Sequence, residues 1–358
     1  MYIYIALLIL ALASIPISKK LSENHNLINQ EIYNKKFYIL PFLVLAIFSA
    51  VRYGIGVDYL TYEIHITNIQ NSRMLYNPNI YIEPGFQILV KICAAFITKD
   101  PIFIMCVMSL LTNFFFLKAI YDQSENIELS VFFYLTWGYY FLTFNSIRSY
   151  FAMALALYSL RFIITKKYKY FLVLIVIAAL FHKSALICIP FYIIANRKLK
   201  PLHFVFFILA LMAVIIFKNQ IEMLIFKIYP SYLGSVYDVN EFSYLNILKG
   251  IAVVGLGSLF YKKVSTSKSL TLYFNLNFFA LVFYCVCYWV PQASRIGFYF
   301  NITAIIFIAN LLKKTNDKDS KFFITFVFVV LSLLLFFMLM KGFYNPSIQL
   351  LPYKSWLF

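Results

Sequence analysis

The segment RYGIGVDYLTYEIHI, which begins at Arg52, places several residues capable of chemistry close together in the sequence. Asp58 could act as a general base or orient a sugar hydroxyl, and Gly54 and Gly56 allow a tight backbone path between Arg52 and Asp58. The alternative interpretation is a simple ion pair between Arg52 and Asp58 at a helix end. We therefore take Asp58 as a candidate catalytic residue and Arg52 as a candidate anion ligand.

Two further segments place ionisable residues at or inside apolar sequence. Glu83 directly precedes Pro84 and is either a solvated helix-start residue or an acid–base group. His182 and Lys183 interrupt the apolar stretch 171–195, where histidine could move a proton and both could contact a phosphate. The alternative is a polar pair that anchors the tip of a hairpin. Because two ionisable groups together within a membrane are costly, His182 becomes a catalytic candidate and Lys183 a phosphate ligand. Glu83 is kept as an alternative catalytic candidate to Asp58.

Two more arginines complete the set of candidate anion ligands. Arg148 begins the run RSYFAMALAL, and Arg295 lies in SRIGFYF. A guanidinium binds phosphate oxygens bidentately, although an arginine at a membrane interface also occurs without any such role. Together with Arg52 and Lys183, these arginines predict a positive cluster suited to an anionic lipid headgroup, especially a diphosphate.

Aromatic residues make up 20% of the chain, including 40 Phe and 29 Tyr. Tyrosine gathers at the interfaces of any membrane protein, but its ring also stacks on sugars. We take Tyr59 and Tyr62 as candidate glycan-binding residues because they adjoin Asp58.

The composition indicates what must position these residues. Of the 358 residues, 63% are hydrophobic and only 13% are charged, with a mean hydropathy of +0.81. Soluble domains are about half apolar and about one quarter charged, so the chain is neither an ordinary soluble domain nor a disordered one. Its apolar runs predict an all-α polytopic membrane protein with about 10–12 transmembrane helices.

The net charge of +17 follows the expected topology of such a protein. Lys and Arg collect in cytoplasmic loops, so this excess needs no nucleic-acid partner. Eighteen of the 31 basic residues lie in five links that we place inside: Lys19, Lys20, Lys35 and Lys36; Arg161, Lys166, Lys167 and Lys169; Arg197, Lys198 and Lys200; Lys262, Lys263 and Lys268; and Lys313, Lys314, Lys318 and Lys321.

This placement predicts two elements that do not cross once. If the links on both sides of 171–195 lie inside, that stretch forms a broken hairpin with His182 near its outer tip. The 14-residue run 84–97 is short enough to be re-entrant or interfacial. The chain then forms one integral membrane domain over 1–358, with the loop 52–83 and the tail 341–358 at the outer face. The apolar run at the N-terminus has no positive region before it, so it indicates a first membrane helix rather than a cleaved signal peptide.

The five cysteines, Cys93, Cys106, Cys188, Cys285 and Cys287, all lie in apolar runs. Such cysteines usually behave as small hydrophobic residues, and no second Cys or His pair completes a metal-site pattern. We expect no metal and no cofactor.

The motifs, taken in order, resemble those of the EpsG family, the Wzy-like polymerases of bacterial surface polysaccharides. The resemblance depends on RYGIGVDYLTY, EPGF, IRSYFAMAL, LFHKSALICIP, SRIGFYF and the LPY near the end, and it covers residues 50–358. One departure is visible: glutamine often follows the family's arginine, whereas Ser149 follows Arg148 here. This weakens any role for the neighbour but leaves the arginine itself.

The resemblance implies a reaction. Such proteins join oligosaccharide repeat units carried on undecaprenyl diphosphate at the outer face of the bacterial cytoplasmic membrane, for O-antigen, capsule or exopolysaccharide. The growing glycan moves from its lipid diphosphate to a new unit, with no nucleotide sugar, ATP or metal. A flippase that supplies the units and a regulator of chain length are the implied partners, besides membrane lipid.

Two other classes of protein remain open from the residues. A flippase for lipid-linked oligosaccharide would place its cations along a path through the membrane, whereas the candidates here gather at one face. A membrane acyltransferase with His182 as its base would need an acyl donor from the cytoplasm.

Overall fold

The computed structural model describes residues 1–23, 39–198, 201–228, 243–290, 293–346 and 348–357. Over these ranges the chain is helical without a β-strand, and an isolated antiparallel bridge joins Arg52 and Ser355. Lys35, Lys36 and Lys200 of the predicted inner links lie outside the described residues. The α-helices are α1 (Tyr2–Glu23), α2 (Ile39–Ala50), α3 (Tyr59–Asn71), α4 (Pro84–Phe96), α5 (Pro101–Gln123), α6 (Ile127–Thr136), α7 (Tyr139–Leu142), α8 (Ile147–Ile164), α9 (Tyr168–Phe181), α10 (Cys188–Ala195), α11 (Pro201–Ile216), α12 (Lys218–Ile228), α13 (Tyr244–Leu259), α14 (Tyr261–Thr266), α15 (Lys268–Val286), α16 (Ala293–Asn301), α17 (Ala304–Lys313) and α18 (Lys318–Gly342).

Six stretches of helix in the described residues are long and apolar enough to cross a bilayer, and α11 with α12 adds a pair bent by 71°. These findings confirm an all-α, multi-pass membrane protein. The predicted count of 10–12 crossings is reached only if several shorter apolar helices, such as α2, α6 and α13, also cross. The six stretches are Tyr2–Lys19, Pro101–Gln123, Ile147–Ile164, Lys268–Val286, Arg295–Lys313 and Lys318–Gly342.

The two stretches predicted not to cross once are a short helix and a broken one. The run 84–97 forms α4, which has 13 residues. The stretch 171–195 breaks at His182, whose backbone is extended (φ −157°, ψ 111°) between α9 and a 3-10 helix, Lys183–Ile187. The break is confirmed, while the hairpin shape and its outward tip stay predictions.

Helix α3 is among the helices that the sequence did not predict. The predicted outer loop 52–83 contains α3, whose buried residues Tyr59, Tyr62, Ile66 and Ile69 recur at helical spacing. Its remaining faces are polar enough that no apolar run marks it. The loop is therefore partly a helix that packs on the protein, and its placement at the outer face stays a prediction.

The described chain forms two compact units, Met1–Leu186 with Ile308–Phe358, and Ile187–Phe307. In the first unit α8 packs against both α5 and α9, and α2 packs against α1 and α5. Small buried residues on α8, among them Ala152 and Ala156, allow the close approach of its neighbours. In the second unit α15 packs against α13 and α16. The single membrane domain over 1–358 stays a prediction.

Candidate active site

Glu83 is placed by the start of α4. Pro84 occupies the first helical position, where proline's fixed φ suits a helix and its missing N–H costs nothing, so Glu83 becomes the extended N-cap residue. A Cβ atom on Gly85 would lie only 2.8 Å from the carbonyl oxygen of Leu180, near the end of α9. Glycine at this position therefore lets the start of α4 approach the end of α9, where His182 follows.

The carboxylate of Glu83 joins three segments of the chain. One oxygen, Oε2, forms an ion pair with Nη1 of Arg148. The other, Oε1, lies 3.3 Å from Nδ1 of His182 and accepts a 3.3 Å hydrogen bond from the backbone N–H of Lys183. We call Glu83, Arg148 and His182 the Glu83 cluster. Their side chains are 6%, 18% and 11% exposed, so the cluster is largely screened from water.

These neighbours determine the protonation of Glu83. Burial acts to raise the pKa of the carboxyl group, but the adjacent His182 ring and the positive charge of Arg148 outweigh it and lower the pKa to about 2. Glu83 is therefore ionised at neutral pH. A carboxylate with so low a pKa is a weak general base, so its geometry suits orienting the other two side chains.

Arg148 lies in the first turn of α8, and aromatic rings support its guanidinium. The guanidinium carbon lies 5.8 Å from the centre of the Tyr62 ring and 5.9 Å from that of Phe86, within the range of cation–π attraction. These contacts, with the pair to Glu83, hold the charge in one place. Arg161 follows 13 residues later on the same helix, roughly 20 Å away at 1.5 Å per residue, so the two arginines mark opposite ends of α8.

Asp58 reaches the same end of the first unit through the turn that precedes α8. The hydroxyl of Ser146 donates a 3.0 Å hydrogen bond to its carboxylate, and the amide of Val57 donates to the side chain of Asn145 over 3.1 Å. Gly56 has a φ of +99°, and a Cβ atom there would lie 2.6 Å from the Asn145 side chain. A glycine is thus needed for both the conformation and the close contact.

Arg52 lies inside the first unit and is only 3% exposed. Its Nη1 donates to the carbonyl oxygen of Ser49 over 2.5 Å and to the hydroxyl of Ser109 over 2.6 Å, and its guanidinium carbon lies 4.9 Å from the centre of the Phe144 ring. Burial lowers the pKa of this guanidinium from its ordinary value. These contacts tie the end of α2 to α5, so they favour a positioning role. Its assignment as a diphosphate ligand stays a prediction.

The other predicted residues are placed as follows. Lys183 is exposed beside the Glu83 cluster, and its backbone N–H donates a hydrogen bond to the Glu83 carboxylate. Tyr59 and Tyr62 are 3% and 6% exposed, so neither presents an open ring face for a glycan in this conformation. Arg295 lies on α16 in the second unit, and its membership of the site stays a prediction.

Three residues near the site were missed by sequence reasoning: Asn145, Ser146 and His65. His65 is half-buried on α3, one helical turn after Tyr62. Burial and the charge of Arg148 lower its pKa, against an opposing effect of Asp58. The helical spacing from Asp58 to His65 was the signal available, but it required recognising α3 first.

The arrangement has a definite chemical capacity. A carboxylate at Nδ1 of a histidine favours the tautomer with its proton on that nitrogen, which makes Nε2 the basic one. The carboxylate also stabilises the imidazolium once a proton has been taken. A fixed guanidinium and an exposed lysine beside this pair can stabilise negative charge that develops on a leaving group.

The helices and these contacts define a multi-pass membrane protein with a buried Glu–Arg–His cluster at one end of a helical unit. The sequence matches the EpsG family over residues 35–355, so the chain belongs to that family, as its motifs predicted. Family membership indicates a polymerase-type function in exopolysaccharide synthesis. No curated protein and no solved structure matches the chain significantly.

Proposed function

We propose that the protein is a polysaccharide polymerase that joins oligosaccharide repeat units carried on undecaprenyl diphosphate. A hydroxyl of the acceptor unit attacks the anomeric carbon of the donor glycan. The bond between that carbon and the diphosphate oxygen breaks, a glycosidic bond forms, and the lipid diphosphate leaves. The proton of the acceptor hydroxyl passes to a base on the protein. No step of this reaction needs a metal or a nucleotide.

The Glu83 cluster is the observation that carries the proposal. In it His182 takes the acceptor proton at Nε2, because Glu83 lies at Nδ1 and holds the ring. Glu83 is too weak a base for this step, since its pKa is about 2. Asp58, whose carboxylate accepts a hydrogen bond from Ser146, orients the acceptor sugar through its hydroxyl groups.

The departing diphosphate gains negative charge as the anomeric bond breaks. In our proposal Arg148 and Lys183 stabilise this charge. Glu83 engages one terminal nitrogen of Arg148, and a guanidinium carries five N–H donors, so one carboxylate does not saturate it. A lipid carrier places its diphosphate at the membrane interface, which is where the basic links predict this end of α8 to lie.

The proposal has a setting in the cell. The protein lies in the cytoplasmic membrane of a bacterium with its site at the outer face. A flippase delivers lipid-linked units, and a separate regulator sets the chain length. A transporter and a polymerase differ in what a deletion strain accumulates: single lipid-linked units outside for a lost polymerase, and units trapped inside for a lost flippase.

Replacing the cation tests the proposal. In the deletion strain, Arg148→Ala should lower the rate of glycan elongation by ~10²–10³, the usual cost of losing one electrostatic donor. Arg148→Lys should fall between Arg148→Ala and the original protein, since it keeps the charge but loses the planar fork. Elongation is measured as the ladder of long chains on a gel, with lipid-linked single units quantified beside it.

Arg73→Ala is the matched control, because Arg73 is an exposed arginine in the segment between α3 and α4 that ends at Glu83. It should give a normal ladder at equal protein abundance. A normal ladder from Arg148→Ala would contradict the proposed role of the cluster, and units trapped inside the cell would favour transport.

A further inference from the structure

The C-terminal segment 349–356 runs alongside the loop that carries Asp58. Three main-chain hydrogen bonds, which cannot be predicted from side-chain patterns, join residues 51–56 to this segment. The N–H of Gly56 donates to Gln349 O at 2.9 Å, that of Tyr53 to Lys354 O at 3.0 Å, and that of Trp356 to Val51 O at 3.1 Å.

Side chains fasten the same segment to the helices beneath it. The hydroxyl of Tyr353 donates to the carbonyl oxygen of Phe48 over 2.7 Å, and the two rings stack with their centres 4.3 Å apart. The hydroxyl of Tyr4 on α1 donates to the carbonyl oxygen of Leu350 over 2.5 Å. The segment is therefore anchored to α1 and to α2.

The loop is thus held from two sides. On one side Asn145 and Ser146 bind Val57 and Asp58. On the other side the segment 349–356 binds the loop up to Gly56, two residues before Asp58. On the first side Ser146 reaches only the Asp58 side chain and Asn145 only one amide, whereas the segment 349–356 contributes three main-chain hydrogen bonds.

We propose that residues 349–356 form a C-terminal strap that sets the position of the Asp58 loop for glycan transfer. The strap contacts no substrate in this account and acts through the loop, so its residues are positioning residues. The part of this inference that concerns glycan transfer rests on the proposed polymerase function.

The test needs a readout that does not depend on polymerisation. Ile55 is 1% exposed in the middle of the loop, so a thiol introduced by Ile55→Cys reacts with a membrane-impermeant maleimide only when the loop opens. The background carries Cys106→Ala and Cys285→Ala, because these two cysteines are not buried. Labelling and the glycan ladder are measured in the full chain in membranes.

Tyr353→Ala removes one hydrogen bond, the stacked ring pair with Phe48 and an edge-on ring contact with Tyr4 at 6.0 Å, which together should raise the labelling rate about tenfold. The ladder should shorten in the same variant at equal abundance. Tyr353→Phe keeps the stack and loses only the hydrogen bond, so its labelling should rise by less. Tyr344→Ala is the control, because Tyr344 lies in the same tail but is 54% exposed.

The outcomes separate the two proposals. Unchanged labelling in Tyr353→Ala overturns the strap, whatever happens to the ladder. Faster labelling with a normal ladder overturns the strap's role in transfer. If Arg148→Ala also polymerises normally, the polymerase proposal fails, while the labelling rates still decide whether the strap holds the loop.

Discussion

The buried carboxylate of Glu83 allows a quantitative prediction. Glu83→Gln keeps the shape of the side chain and removes the charge that faces Arg148 and His182. Breaking a buried ion pair by removing one partner costs ~3–5 kcal/mol, because the other charge is left without compensation. We expect Glu83→Gln to be clearly less stable than the original protein at neutral pH.

The pKa of Glu83 gives a second figure for the same loss. Lowering it from 4.5 to about 2 corresponds to about 3 kcal/mol at about 1.4 kcal/mol per pKa unit. At roughly 2 °C per kcal/mol for a large domain, the Tm measured in detergent should fall by roughly 6 °C.

Glu125→Gln is the matched control for this measurement. Glu125 also forms an ion pair, with Lys314 at 3.2 Å, but both side chains are more than one third exposed. Exposed pairs contribute ~0–1 kcal/mol, so Glu125→Gln should leave the Tm nearly unchanged. Equal Tm values for the two variants would refute the reasoning, since they would mean that burial adds nothing to the Glu83 pair.

The pH dependence follows from the sign of the same shift. Because the folded pKa of Glu83 lies below its unfolded value, its stabilising contribution is fully present above pH 4.5 and is lost as the pH falls towards 2. The difference in Tm between the original protein and Glu83→Gln should therefore shrink over this interval. A difference that stays constant from pH 6 to pH 3 would contradict the assigned pKa.

Two further predictions concern packing and the opposite end of α8. Gly85→Ala should lower the free energy of unfolding by about 1–3 kcal/mol, and with it the Tm, because the added methyl group pushes against Leu180. The glycan ladder should also shorten, since the same push separates Glu83 from His182. Gly342→Ala is the control and should change neither the Tm nor the ladder, because a Cβ atom there meets nothing within 4 Å. Asp122 is fully buried and pairs with Lys118 and Arg161, so Asp122→Asn leaves both cations uncompensated. It should lower the free energy of unfolding, measured by thermal denaturation, by about 3 kcal/mol without altering elongation per folded molecule.

The sequence predicted the members of the site better than their contacts. His182 was singled out because ionisable groups inside apolar sequence are costly, Arg148 because a guanidinium binds phosphate, and Glu83 because it directly precedes the short run that begins at Pro84. Their contact could not be predicted, since Arg148 is 65 residues from Glu83 in the chain and pairs with it only after α4, α8 and α9 have packed. The break at His182 was predictable because the charge on both flanking links demanded it.

Other features of the structure could not be predicted from the sequence, for identifiable reasons. Burial of Tyr59 and Tyr62 depends on α3, whose apolar residues are too few to form a run. Arg52 was predicted as a diphosphate ligand because it belongs to the expected cluster of cations at the outer face, but nothing in the sequence shows that Ser49 and Ser109 surround it. The strap is made largely by main-chain atoms, which any sequence supplies.

The negative charge of Glu83 could either slow or speed the proposed glycan transfer. In the proposed reaction Glu83 reduces the net positive charge near the departing diphosphate, yet it also pairs with Arg148 and lies against His182. If net attraction controlled the rate, Glu83→Gln would accelerate elongation; if orientation did, it would slow it. A lipid-anchored donor is already concentrated in the membrane, so attraction adds little, and only interactions that strengthen in the transition state raise the rate. Cations that are already held in position strengthen their interaction with the leaving group as its charge develops, and Glu83 holds Arg148 in this way. We therefore expect Glu83→Gln to slow elongation at equal amounts of folded protein.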